Sequence, residues 1–242
     1  LSGLFIEYQI WSLIFSSNNY STISMEGVDQ GYTFNKLIVF IFLSIIVGQL
    51  KSSWVTSTQM ILEIRQGLIN KYLIRPISYF WYHFMMFIGV NSLYLFVYLT
   101  LLVSFVAIFP GLIFQTFYSI LGFSIALVLS IYLSYCIYFI MVCFAFWFGE
   151  VRSIVVAYNI GMLMISGQYI PIRLFPPEVL SVIKWTPIPY LVDLPVSIAT
   201  GIITKSQWGF NIGMASLWCI ILTAASFMIY RLGVKGYEAY GQ

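Results

Sequence analysis

The sequence predicts an all-α, polytopic membrane protein: six transmembrane helices, an amphipathic helix outside the hydrocarbon, and short broken helices near an interface. Three observations carry this expectation. Hydrophobic residues make up 61% of the 242-residue chain and charged residues only 8%, against about 25% charged in a soluble domain. Apolar runs of membrane length recur between short polar stretches. Six of the eight prolines crowd into one stretch that nonetheless stays apolar. In lipid, apolar surface is cheap and charge is costly, so the balance fits a bilayer. Aromatic residues at 19% suit interfacial belts of Trp and Tyr.

The whole chain, 1–242, reads as a single transmembrane domain. The first apolar run, 1–17, reads as most of a first span, and upstream residues are expected to complete it. Glu7 and Gln9 interrupt it, and it has neither the basic region nor the cleavage site of a signal peptide. A polar loop follows over 17–34, with a chance-level glycosylation sequon at Asn19, Tyr20 and Ser21. The second span is 37–55. Lys51 near its end is expected to snorkel to the headgroups, and Trp54 fits the same interface.

Residues 56–75 change character. Glu63, Arg65, Lys71 and Arg75 alternate with Ile61, Ile64, Leu68 and Tyr72 at helical spacing. This pattern predicts one amphipathic helix ended by Pro76. The third span is 80–109, closed by Pro110 and Gly111. The run 111–148 would be about 55 Å long as one helix, well beyond a hydrocarbon core of about 30 Å. A short interfacial piece near 112–118 followed by one long fourth span, 119–148, fits better than two spans. Gly149, Glu150, Val151 and Arg152 form a charged turn before the fifth span, 153–169. The proline-rich stretch 170–205 cannot hold a continuous helix and reads as short broken helices at or dipping into the interface. The sixth span is 208–230, with a GxxxG pattern at Gly209 and Gly213 where another helix could approach. A polar tail follows.

Six spans put Arg65, Lys71, Arg75, Arg152, Arg231 and Lys235 on one side, and Lys36, Arg173, Lys184 and Lys205 on the other. This excess places the amphipathic helix and the tail in the cytoplasm. A seven-span arrangement splitting 111–148 gives the same division, so segment length decides between them.

The chain offers little for catalysis. His83, the one histidine, has no second ligand at helical spacing for a metal site. It reads as an interfacial hydrogen-bonding group, since catalysis would need a partner. Cys136, Cys143 and Cys219 lie in apolar runs and read as small core residues. No GxSxG, HExxH or GxxxxGK[ST] element occurs. No catalytic, cofactor-binding or metal-binding residues are expected, and any ATP-driven transport would need its ATPase on another chain. The net charge of +3, carried on scattered residues, gives no footprint for nucleic acid. Gln49, Asn91 and Asn159 read as interhelical hydrogen-bonding groups.

Three stretches carry a resemblance. The stretch 65–78, with Arg65, Gly67 and then Leu73, Ile74, Arg75, Pro76, Ile77 and Ser78, resembles a signature of ABC-2-type exporter permeases from a bacterial branch, read there roughly as Arg, Gly and then Leu-Leu-Arg-Pro-Leu-Ser. Ser166 and Gly167, Ile170 and Pro171, Phe175 and Pro176, Pro187, Pro195 and Gly201 are similar to that branch's later series. The ending Tyr237, Glu238, Ala239, Tyr240 and Gly241 is similar too. Two departures are Gln66, which separates Arg65 from Gly67, and the final Gln242, where glycine is common.

The resemblance implies six spans in the bacterial cytoplasmic membrane with both termini cytoplasmic. It implies that 56–75 is a coupling helix docking on a nucleotide-binding ATPase subunit through Glu63, Arg65, Gly67, Leu68, Lys71, Arg75 and Pro76. The polar residues would face the partner, and Ile61, Leu68 and Tyr72 the membrane side. It further implies that 170–205 forms re-entrant helices capping the outer mouth, with Ser166, Gly167, Pro171, Phe175, Pro176 and Pro187 in that gate. A second permease subunit, in a heterodimer rather than a homodimer, would complete the path, and partner subunits would bind ATP and magnesium. Tyr94, Tyr98, Tyr132, Tyr135, Tyr138 and Phe139 are candidate path-lining residues, with helix packing as their ordinary alternative. Such a path suits a drug, a lipid or a lipid-linked molecule. The competing reading is an ion-coupled secondary carrier or channel, which would need a buried ion site. A membrane-embedded enzyme would need clustered acids or histidines, and Asp193 has no visible partner.

Overall fold

The structure, a computed structural model, describes residues 2–17, 33–51, 53–74, 77–108, 111, 113–114 and 116–236. The 19–21 sequon, Arg75, Pro76 and the 237–241 match lie outside the described residues. Eleven α-helices and two 3₁₀ turns make up the regular structure among those residues. Lipid offers backbone groups no partners, so a helix that pairs its own amides is the expected solution for such apolar segments.

Among the described residues four helical runs are long and apolar enough to cross a membrane. They are Phe34–Arg65, Tyr79–Ser104, Phe117–Phe148 and Lys205–Lys235. The first comprises α2 (Phe34–Leu50) and α3 (Trp54–Arg65), and the second belongs to α5 (Tyr79–Ile108). Short α4 (Asn70–Leu73) lies between them. The third comprises α6 (Phe117–Cys143) and α7 (Ala145–Phe148), and the fourth is α11 (Lys205–Lys235). Two further helices occupy the expected first and fifth spans but are shorter: α1 (Ser2–Ser17), with 16 residues, and α8 (Arg152–Ile165), with 14. At 1.5 Å per residue they reach about 24 and 21 Å, less than a hydrocarbon core of about 30 Å.

Within the stretch 111–148, residues 117–148 form one long helical run. Ahead of it Phe114 takes a positive φ of 51° and its amide donates to the Ala199 carbonyl at 2.9 Å. The fifth helix stops at Ile165, short of 169, because Gly167 turns the chain with φ of 86°. The proline-rich stretch breaks into a 3₁₀ turn at Ile172–Leu174, α9 (Pro177–Ile183), a second 3₁₀ turn at Ile188–Tyr190, and α10 (Asp193–Ala199). Helix α10 is fully buried against α2 and α6.

Two apolar cores sit end to end along the bundle. One joins α2, the first half of α6, α10 and α11 through Leu37, Phe40, Leu133, Leu194 and Ile198. The other joins α3, the start of α5 and the second half of α6 through Ile61, Ile64, Phe80, Tyr135 and Phe139. Helix α6 runs through both. Between Leu133 and Tyr135, at the waist, Ser134 Oγ donates to the Lys51 carbonyl at 2.9 Å. Lys51 therefore does not snorkel. It is 7% exposed, at the break between α2 and α3, near the middle of the 34–65 run.

Candidate functional site

The expected single helix over 56–75 is two helices joined by a turn at 66–69, where Gly67 takes φ of 74°. A left-handed residue ends a helix, and glycine takes that conformation without a Cβ clash. The turn resets the helical phase. Ile61, Ile64 and Tyr72 point inward as expected, but Ile69 fills the place foreseen for Leu68, which is 47% exposed. The outward face of the turn carries Arg65, Gln66, Leu68, Asn70, Lys71 and Ile74, the last 83% exposed.

Glu63 is a second correction. It was expected on the polar outer face, yet it is 4% exposed and the centre of a buried cluster. Oε1 accepts hydrogen bonds at 3.3 Å from Gln59 Nε2, Lys71 Nζ and Tyr72 Oη. Oε2 lies 3.0 Å from His83 Nε2. A buried carboxylate is tolerable only with such a full set of donors. Burial, then the Glu63 charge and Tyr82, push the Tyr72 phenol far above its usual range, so it stays protonated and donates. The Tyr72, Tyr79 and Tyr82 rings pack on the His83 ring. One carboxylate thus ties α3 to α4 and to the first turns of α5.

Arg65 makes a second tie. Its Nη1 pairs with Glu150 Oε2 in the turn between α7 and α8, and Glu150 also accepts from the Arg152 amide at 3.1 Å. The α3–α4 turn is therefore fastened on one side to α5 and on the other to the end of the α6–α7 run. His83 and Glu150 were missed as partners of this site. Gln59 and Glu63 lie four apart on one helix, which sequence reveals. The Glu63–His83 and Arg65–Glu150 pairs cross turns and helices, which local spacing cannot reveal.

The expected outer-gate residues differ in burial. Ser166, Gly167 and Pro171 are buried, Phe175 and Pro187 are half-buried, and Pro176 is exposed. Gly167 packs on Ile172 and Asp193. Asp193 does have partners. Ser197 Oγ donates to its Oδ2 at 3.4 Å. Burial raises its carboxyl above the ordinary range, while the Arg173 charge and the Ser197 bond oppose that rise.

The six candidate path residues do not share one surface. Tyr94 and Tyr98 line a groove of about 200 Å³ with Gln49, Trp54 and Asn91. Tyr138 lines a different cavity. Tyr132 is half-buried, its hydroxyl 2.8 Å from Thr223 Oγ1. Tyr135 and Phe139 are at most 1% exposed within the second core. Packing inside one chain leaves these two no surface for a path between subunits. Among the described residues no group of His, Cys, Asp or Glu could hold a metal ion.

The family model described as "ABC-2 family transporter protein" matches residues 1–241. No curated protein matches the chain. Members of that family are transmembrane components rather than ATPases and normally work with ATPase subunits. The match covers almost the whole chain and agrees with its apolar, all-helical bundle, so the chain belongs to the ABC-2 transporter family and is a membrane component of such a transporter.

Proposed function

We propose that the chain is the permease subunit of an ATP-driven exporter, and that the α3–α4 turn is where an ATPase subunit pushes. One observation carries this reading. The turn presents exposed apolar side chains, Leu68 and Ile74, amid Arg65, Gln66, Asn70 and Lys71, and its base is fixed to two different helical runs by Glu63 and Arg65. A soluble partner can grip such a mixed face. Force on the turn passes through Glu63 to α5 and through Arg65 to the α7–α8 junction, so a partner's closure becomes a shift of whole helices.

In this reading α1 and α8 are the first and fifth of six spans, and both termini and the turn lie on the cytoplasmic side of a bacterial inner membrane. Residues 170–205 cap the outer mouth. A second, related permease encloses the path, ATP and magnesium are held by the ATPase pair, and the cargo is hydrophobic or amphipathic.

The test is copurification in mild detergent. Wild-type chain is expected to bring down a protein with a phosphate-binding loop, identified by mass spectrometry. Leu68→Asp with Ile74→Asp is expected to lose it, while Val182→Asp, on exposed α9, keeps it. Well-folded wild type with no such partner, or retention by the double variant, overturns the reading.

A further inference from the structure

Lys51 lines a cavity of about 170 Å³ between the end of α2, α6, α8 and the turn that follows α8. The other polar groups on its wall are Gln49, Tyr138, Tyr158, Asn159 and Gln168, with no acidic residue among the lining side chains. No carboxylate pairs with Lys51 among the described residues. A cation held near the middle of a membrane-length run without a counter-charge is costly, and such residues mark ligand paths.

The surrounding polar groups can all donate. The Tyr158 hydroxyl is buried and has no hydrogen-bond partner among the described residues. Tyr138 Oη donates to Asn159 Oδ1, so the Asn159 carbonyl is engaged and its amide N–H groups are the donors this lining residue has to offer. Gln168 is 6% exposed and packs directly on Gly48, where an added Cβ would stand 2.6 Å from its Oε1. Glycine at 48 is what lets this amide enter the wall. One ammonium, one free phenol and amide N–H groups around a small, acid-free cavity are the complement of an oxyanion.

We propose that this cavity binds a phosphate or carboxylate group, the anionic head of the molecule that the permease moves. The purpose rests on the permease reading; the binding rests on the cavity alone. The amphiphile's chain would leave the head toward α8, whose outward surface is apolar at Ile160 and Met164.

The test uses the full chain in phosphatidylcholine nanodiscs without any ATPase, so its failure is separate from failure of the partner experiment. Dodecyl phosphate, inorganic phosphate and neutral dodecanol are titrated by microscale thermophoresis. Dodecyl phosphate is expected to bind wild type and Lys51→Arg, and at least tenfold more weakly to Lys51→Met, with dodecanol indifferent to the substitution. Tighter binding of dodecyl phosphate than of inorganic phosphate assigns the oxyanion to an amphiphile; equal binding assigns a free anion. Should Lys51→Met not fold, Asn159→Leu and Gln168→Leu each weaken dodecyl phosphate at least threefold. Unchanged affinity in Lys51→Met, or in both of those variants, overturns the proposal.

Discussion

Glu63 Oε2 lies 3.0 Å from His83 Nε2, and neither side chain is more than 5% exposed. The pair is the tightest of four contacts that one carboxylate makes across three helices. Glu63→Ala would strand His83 and Tyr72 as buried polar groups and take the partner from half-buried Gln59, at a cost of about 3 kcal/mol. Lys71 contributes far less, because its side chain is 47% exposed; Lys71→Ala should cost under about 1 kcal/mol. Thermal unfolding of both variants in detergent checks this. Equal losses would mean that the cluster does not hold the turn.

Gly67, with φ of 74°, sets the angle between α3 and α4. Gly67→Ala forces a Cβ into the left-handed region and should cost about 1 to 2 kcal/mol. Gly67→Asn should cost less, since asparagine visits that region more readily. An unfolding midpoint that falls further for alanine than for asparagine supports backbone conformation as the cause. The reverse order would point to lost space instead.

Apolar periodicity and length made the helical runs legible, as did the proline-dense break between α8 and α11. Composition alone justified the membrane class. Phase failed at Leu68 because one glycine turn rotates everything after it, and sequence spacing assumes an unbroken helix. Lys51 looked interfacial because the apolar run seemed to end there. In three dimensions the helical run resumes at Trp54 and carries the lysine inside. Glu63 looked like a surface charge because its partner His83 lies 20 residues away across a turn. What the scarcity of charge in the spans implies for Lys51 depends on a cavity that only packing creates.

Glycines on α11 separate packing from exposure. At Gly233 an added Cβ would stand 2.8 Å from Phe146 Cγ, while at Gly209 and Gly213 it meets nothing within 4 Å. Among the described residues the GxxxG pair therefore receives no close helix. Gly233→Ala should cost about 1 to 3 kcal/mol through overpacking. Gly213→Ala should be neutral or stabilising by up to about 1 kcal/mol in the isolated chain, because alanine is the better helix former. Unfolding of the two variants side by side gives the comparison, and a large loss at Gly213 in the isolated chain would contradict the packing described.

Tyr135 and Tyr94 were expected in one role and occupy two. Tyr135 Oη donates to the Phe80 carbonyl at 2.6 Å, and its ring meets Phe80, Phe84 and Phe87 at centroid distances of 5.1 to 5.6 Å. It is a core residue that joins α5 to α6. Tyr94 is 50% exposed beside the groove that Asn91 and Tyr98 share. Tyr135→Phe removes one buried hydrogen bond and should cost about 1 kcal/mol. Tyr135→Ala also empties a ring-sized space and should cost about 3 to 5 kcal/mol. Tyr94→Ala leaves no void and should shift stability by under about 1 kcal/mol, so any effect of that variant on transport reports contact with cargo or with a second subunit. Stability measured first, by thermal unfolding, decides how a transport defect is read. A defect in Tyr135→Ala at unchanged stability would return that residue to the path.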